Sequence, residues 1–99
     1  MRYVHVHWQL SGDHRPADMF YEIDDDFVEN RKVERYIGGH MDVAGPDLET
    51  GKTWISGDYF PTLEQINEDT QFEAKEISEA EFNEVWDLAI FNLRKSGSA

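Results

Sequence analysis

A helix with one unbroken apolar side cannot stand alone in water, and this chain carries one near its C-terminus. Phe82, Val85, Trp86, Ala89, Ile90 and Leu93 recur at intervals of three and four, which puts them on one face of a helix predicted over 79–93. Its start is encoded locally. Ser78-Glu79-Ala80-Glu81 has the spacing of a capping box, and Ile77 with Phe82 has that of a hydrophobic staple. Glu79 and Glu81 in the first turn and Arg94 and Lys95 past the end have the signs that the helix dipole favours, at about 0.3–1 kcal/mol each. Such a face demands a sheet to cover.

The N-terminal half supplies strands. From Tyr3 onward the period is two, with Val4, Val6, Trp8 and Leu10 on one side and Tyr3, His5, His7 and Gln9 on the other. A polar connection over 11–17 follows, and a second strand is predicted over 19–23. Asp24-Asp25-Asp26 reads as a turn, because short carboxylates bond to their own backbone. A third, polar strand is predicted over 28–37 and, after Gly38-Gly39, a fourth over 40–44. Residues 20–36 thus form a hairpin around which the rest should pack. The stretch over 45–59 reads as loop, with Trp54 in need of burial or a partner. Thr62-Leu63-Glu64-Gln65 is a second capping box and predicts a short helix over 63–68. Phe72 and Ala74 alternate with Glu73 and Lys75 in a brief extended piece. The expected fold is α+β: an antiparallel meander of about four strands, one face covered by the C-terminal helix, plus one short helix.

With 99 residues the expectation is one domain over 1–95 and a flexible tail over 96–99. There is no cysteine, hence no disulfide or thiolate chemistry, which suits a reducing compartment. No stretch has the pattern of a leader or a membrane span, so a soluble, cytoplasmic protein is expected. Charge is the strongest compositional statement. Against 9 basic side chains stand 21 acidic ones, and between Asp58 and Asp87 ten carboxylates face Lys75 alone. This field repels nucleic acid and anionic membranes and attracts basic surfaces, although solvation alone is a sufficient use for it.

With the residues laid out, the chain resembles a family of small bacterial proteins known only as a domain of unknown function. The likeness lies in the first strand Tyr3 to Trp8, in Tyr21-Glu22-Ile23-Asp24, and in Glu29 with Arg31-Lys32-Val33-Glu34 and Tyr36. It continues through 61–67 and from Phe72 by way of Ile77-Ser78 and Glu81-Phe82 to Trp86. The pair Gly38-Gly39 and the bulky Gly57-Asp58-Tyr59-Phe60 run depart from the family pattern. The resemblance implies a shared fold and brings no activity, cofactor or catalytic residue.

Several constellations deserve a chemical reading. His5 and His7 share a strand side, and with a carboxylate such as Glu22 on the next strand they would make a two-histidine, one-carboxylate metal set; a half-wet sheet face is the plain alternative. Asp24-Asp25-Asp26 lacks the glycine and final glutamate of a calcium loop. The serines are few, Ser11, Ser56, Ser78, Ser96 and Ser98, and Ser78 is already a helix cap, so no nucleophile stands out. Glu29, Arg31, Lys32, Glu34, Arg35 and Tyr36 can present a mixed-charge surface or a cross-strand ladder. The acidic arc of Glu64, Glu68, Asp69, Glu73, Glu76, Glu84 and Asp87, with Trp54, Tyr59 and Phe60 near it, suits a partner protein. The expected function is a non-enzymatic, acidic protein-binding module without cofactor, of the inhibitor or immunity type, covering a basic partner such as a nuclease. Alternatives are a nucleic-acid mimic that blocks a DNA-binding protein, and a metal- or small-ligand-binding sheet using His5 and His7.

Overall fold

The computed structural model describes residues 1–9, 12, 15–51 and 53–97. Leu10, Ser11 and the rest of the first connection apart from Gly12 and 15–17, together with Lys52, Ser98 and Ala99, lie outside the described residues. The elements are β1 (Arg2–Trp8), β2 (Pro16–Ile23), β3 (Glu29–Tyr36), β4 (Met41–Gly45), β5 (Leu48–Glu49), α1 (Leu63–Glu68), β6 (Phe72–Glu76) and α2 (Glu79–Gly97). They form an α+β arrangement with one antiparallel sheet in the order β5-β4-β3-β2-β1-β6.

The four-stranded meander expected from the sequence is corrected to six strands. The first four follow in the expected order, β1 to β4, although β2 begins at Pro16, inside the connection expected over 11–17. Leu48–Glu49, read as loop, folds back on β4, since a strand of two residues has no periodicity to betray it. The brief extended piece Phe72–Glu76 is a full strand against β1, with Val6 opposite Ala74 and Val4 opposite Glu76. β1 is therefore an interior strand. Its alternation reflects two unlike sides, with Val4 and Val6 in the apolar layer under α1 and His5 and His7 on the other side against Asp18.

Local signals act as their chemistry requires. Thr62 Oγ1 accepts from the Gln65 N–H at 3.1 Å while Gln65 Oε1 accepts from the Thr62 N–H at 2.9 Å, the reciprocal pair of a capping box. Ser78 Oγ likewise accepts from the Glu81 N–H at 3.1 Å, and α2 continues four residues beyond Leu93, to Gly97. In the aspartate turn, Asp24 Oδ1 accepts from the N–H groups of Asp26 and Val28 at 2.9 and 3.1 Å. That turn also holds Phe27 at φ 62°, a left-handed conformation costly for a side chain with a Cβ.

Alternation divides the sheet into two packed sides, and here a second correction arises. The side expected to lie under the C-terminal helix, that of Val4 and Val6, does not face it. Val4, Val6, Ile23 and Ala74 are buried instead under Phe60, Leu63 and Ile66 of α1 and the segment before it. α2 covers the opposite side, where Tyr3, Phe20, Val33, Met41 and Val43 meet Phe82 and Ala89. The apolar content of both strand sides allows this: Tyr3 and Phe20 are large enough to build a core where the sequence suggested a wet face. At about 25 cal/mol per Å² of apolar surface, a fully buried Phe, Val or Ile contributes roughly 1.5–3 kcal/mol, so neither layer is dispensable.

The outer edge of β6 is closed by a side chain. The Asn67 carboxamide takes both main-chain groups of Ala74, accepting from its N–H at 2.7 Å and donating to its carbonyl at 3.0 Å. Two residues earlier, the Phe72 N–H donates to the Asp69 carbonyl at 3.0 Å.

Candidate functional site

The segment over 53–61 crosses the sheet on the α1 side, and three ties hold it there. Glu29, buried on β3, accepts from the Ser56 N–H at 2.8 Å and lies 3.5 Å from Lys32 Nζ. The Phe60 N–H donates to the Phe27 carbonyl at 2.7 Å, and Val28 and Tyr59 form an isolated antiparallel bridge. Between this strap, α1 and the sheet lies an open groove of about 470 Å³. Its floor is Val6, Met19 and Tyr21. Aromatic pairs shape its walls: Trp8 and Phe72 have ring centroids 5.1 Å apart, and Tyr21 and Phe60 4.8 Å. Tyr59 stands at the lip, 81% exposed.

The polar lining has one sign. Glu29, Asp58 and Asp69 border the groove, and among the described residues no lysine, arginine or histidine lines it, although the Arg15 guanidinium lies 5.1 Å from the Trp8 ring centroid at its wall. Burial, helped by the charges of Glu29 and Glu34, pushes the Tyr21 phenol up, so it stays protonated as a donor. A second cavity of about 300 Å³ shares Met19 and Tyr21 with the first and continues toward Glu34, Tyr36, Thr53 and Trp54. There Lys32 Nζ sits 5.8 Å from the Tyr21 ring centroid and 6.0 Å from that of Trp54. The buried Thr53 hydroxyl has no hydrogen-bond partner among the described residues.

The mixed-charge strand expected to act as one surface is split by its alternation, with a bulge at Asn30 that returns Glu29 to the side of Lys32. Glu29, Lys32, Glu34 and Tyr36 lie on the groove side of the sheet, while Arg31 and Arg35 lie on the α2 side. Arg31 is a fixed structural group. Its Nε and Nη2 donate to the two Glu22 oxygens at 2.8 and 2.7 Å, Nη2 also reaches Asn83 Oδ1, and the guanidinium lies about 5 Å from the Phe82 and Trp86 rings. These bonds hold the Glu22 carboxyl below the usual carboxylate range against the opposing effect of its burial.

The acidic arc is likewise divided. Glu64, Glu68 and Asp69 are exposed on and just after α1, Glu73 and Glu76 on β6, and Glu84 and Asp87 on α2. Of these, Asp69 lines the groove, and Glu76 pairs with Arg2 at 3.2 Å. Trp54, for which the sequence demanded a site, is 65% exposed beside the second cavity.

His5 and His7 share a side as expected, but their carboxylate is Asp18, not Glu22. His5 Nε2 and His7 Nδ1 lie 2.8 and 3.0 Å from Asp18 Oδ1, and Arg35 Nη2 donates to Oδ2 at 3.2 Å. Burial raises the Asp18 carboxyl, yet its bonds to His5, His7 and Arg35 together bring it below the ordinary value. Glu22 is engaged by Arg31 and Asn30. Among the described residues no three His, Asp or Glu side chains are grouped to hold a metal ion. A guanidinium on the same carboxylate makes this a polar, self-satisfied cluster.

The groove residues Trp8, Met19, Asp58, Ile66 and Phe72 were not singled out as a site by sequence reasoning. Their one sequence signal is the run Asp58-Tyr59-Phe60, bulky and aromatic where a loop is ordinarily small. Among the described residues no helix is long and apolar enough to cross a membrane. A search of curated proteins and one of solved structures found no match. A family model does match, over residues 2–91, which takes in all six strands, α1 and α2 as far as Phe91. The chain belongs to the family described as a domain of unknown function, DUF6881.

Proposed function

We propose that the chain is a non-enzymatic protein-binding module whose partner is basic, with the aromatic groove as the centre of the contact. The observation that carries this reading is the groove's lining: aromatic walls, an 81% exposed Tyr59 at the lip, and three carboxylates with no cation among the described lining residues. Exposed aromatic anchors supply contact energy, and surrounding carboxylates speed and select the encounter with a basic surface. Glu64 and Glu68 on α1 extend the same sign beyond the rim. An inhibitor seated on the basic cleft of a nuclease-like protein, acting in the cytoplasm, is the form of partnership that this charge serves. The phosphate-mimic alternative would use carboxylates along one track, and these are distributed over both layers of the fold.

The test is capture of partners on the tagged chain from its host's lysate, at low and at high salt, with the wild type beside a Tyr59→Ala, Asp58→Asn variant. One near-stoichiometric basic protein that survives high salt on the wild type and is lost from the variant is the expected result. A smear of basic proteins, equal on both and released by salt, overturns the reading.

A further inference from the structure

Resting on the reading of the chain as a binding module, we infer that the groove receives one long cationic side chain, lysine or arginine, from an extended segment of the partner. Glu29 already has Lys32 and the Ser56 N–H. Asp58 and Asp69 have no ion pair among the described residues, although both line the groove. An anionic ligand is repelled by these carboxylates. A wholly apolar one would cover Asp58 and Asp69 without replacing the water they lose, which is costly for a charge. A side chain with a methylene stem and a charged head satisfies both halves of the lining. Its stem lies on Ile66 and Phe72, its head meets the carboxylates, and the Tyr59 and Phe60 rings add cation–π attraction, the Trp8 ring already having Arg15 at 5.1 Å.

The neighbouring cavity gives a second, independent indication. It shares Met19 and Tyr21 with the groove, and it is lined by Thr53, whose buried hydroxyl has no partner among the described residues. A main chain flanking the inserted side chain brings peptide carbonyls, the group that a lone hydroxyl donor lacks. Since Thr53 is buried, its hydroxyl meets one only if the strap shifts on binding. Lys32, already held between the Tyr21 and Trp54 rings, keeps a second cation out of that neighbouring space. The ligand is therefore asymmetric, with its cation on the α1 side of Tyr21.

The experiment titrates the full chain with four blocked tripeptides, acetyl-Leu-X-Leu-amide, where X is lysine, arginine, norleucine or glutamate. Binding is followed by NMR at the indole N–H of Trp8, which donates to Gln71 Oε1 at 3.3 Å on the groove wall. Saturable shifts with lysine or arginine at a Kd below about 10 mM are expected, with norleucine at least about tenfold weaker and glutamate inactive. The stronger of the two cationic peptides identifies the head group. Asp58→Asn with Asp69→Asn should weaken the cationic peptides about tenfold, whereas Glu84→Gln on α2 should leave them unchanged. Norleucine binding as well as lysine overturns the inference, as does equal loss in the Glu84→Gln control or no saturable shift with either cationic peptide. If the tripeptides fail while lysate capture still depends on Tyr59, the inference alone falls; if that dependence is also missing, both fall.

Discussion

The two sides of the sheet are covered in different ways. Under α2 the cover is a nineteen-residue helix, and the polar groups at its margin are paired: Arg31 with Glu22 and Asn83, Tyr3 with Glu79 at 3.0 Å. On the other side a six-residue helix and a strap share the work, and they leave a groove over Met19 and Tyr21. The first side spends its sheet-facing aromatic rings on one another, with Tyr3 and Phe82 centroids 5.5 Å apart, and exposes Phe91 on α2. The second leaves Tyr59 and Trp54 in solvent. A side that is closed by long regular structure carries stability, and a side closed by short pieces keeps surface free for a ligand.

The contrast is broken most severely at Arg31. Arg31→Ala strands the buried Glu22 carboxylate and should cost about 3–5 kcal/mol, read from urea unfolding. A loss no larger than that of an exposed arginine would mean that the α2 side is not held as described. The same pair makes a pH prediction. Because the folded Glu22 pKa is lowered, its contribution is complete above the unfolded value of about 4.3 and disappears as pH falls through the lower folded value. Glu22→Gln should therefore flatten the acid limb of the stability–pH curve below about pH 4.3. An unchanged slope would assign that limb to other carboxylates.

Next in size is Asn67→Ala, which removes both bonds to Ala74 and should cost about 1–3 kcal/mol, concentrated on β6 and α1 in hydrogen exchange. Loss of protection spread evenly over α2 as well would show that the two sides do not open separately. Phe27→Gly should raise stability by about 0.5–1 kcal/mol, because glycine accepts φ 62° without the Cβ conflict although it gives up more chain entropy. Destabilisation would mean that the half-exposed ring contributes more packing than the backbone loses in strain. Smallest of all, Tyr59→Ala should move the unfolding midpoint by no more than about 0.5 kcal/mol while removing partner capture. A large loss of stability would make Tyr59 part of the core and dissolve the distinction between the two sides.

Much of the framework is legible in the residues themselves. Capping boxes at Thr62 and Ser78 lie within a few positions of the bonds they make, and the alternation of Val4 and Val6 needs no partner to be seen. What depends on register is not legible. Asp18 joins His5 and His7 only because β1 and β2 pair with His7 opposite Asp18, a register that neither strand displays by itself. The division of Arg31 from Lys32 follows from alternation, yet which side α2 would choose does not, since both sides carry enough apolar area. The groove is harder still. It draws on β1, β2, the strap, α1 and β6, so no contiguous stretch contains it, and the run at Asp58-Tyr59-Phe60 is its one local trace.

The Asn67 carboxamide has a consequence for how anything can attach to this sheet. Exposed strand edges invite other backbones to add themselves, which is one general way of holding a peptide and also the usual beginning of fibrous aggregation. Here the edge positions at Phe72 and Ala74 are already occupied from within, and the far edge, β5, is two residues long. A visiting strand finds little to read by main chain alone. Recognition is thereby confined to side chains, which differ from one protein to the next, and the chain can be abundant and strongly acidic without becoming a template for its own copies.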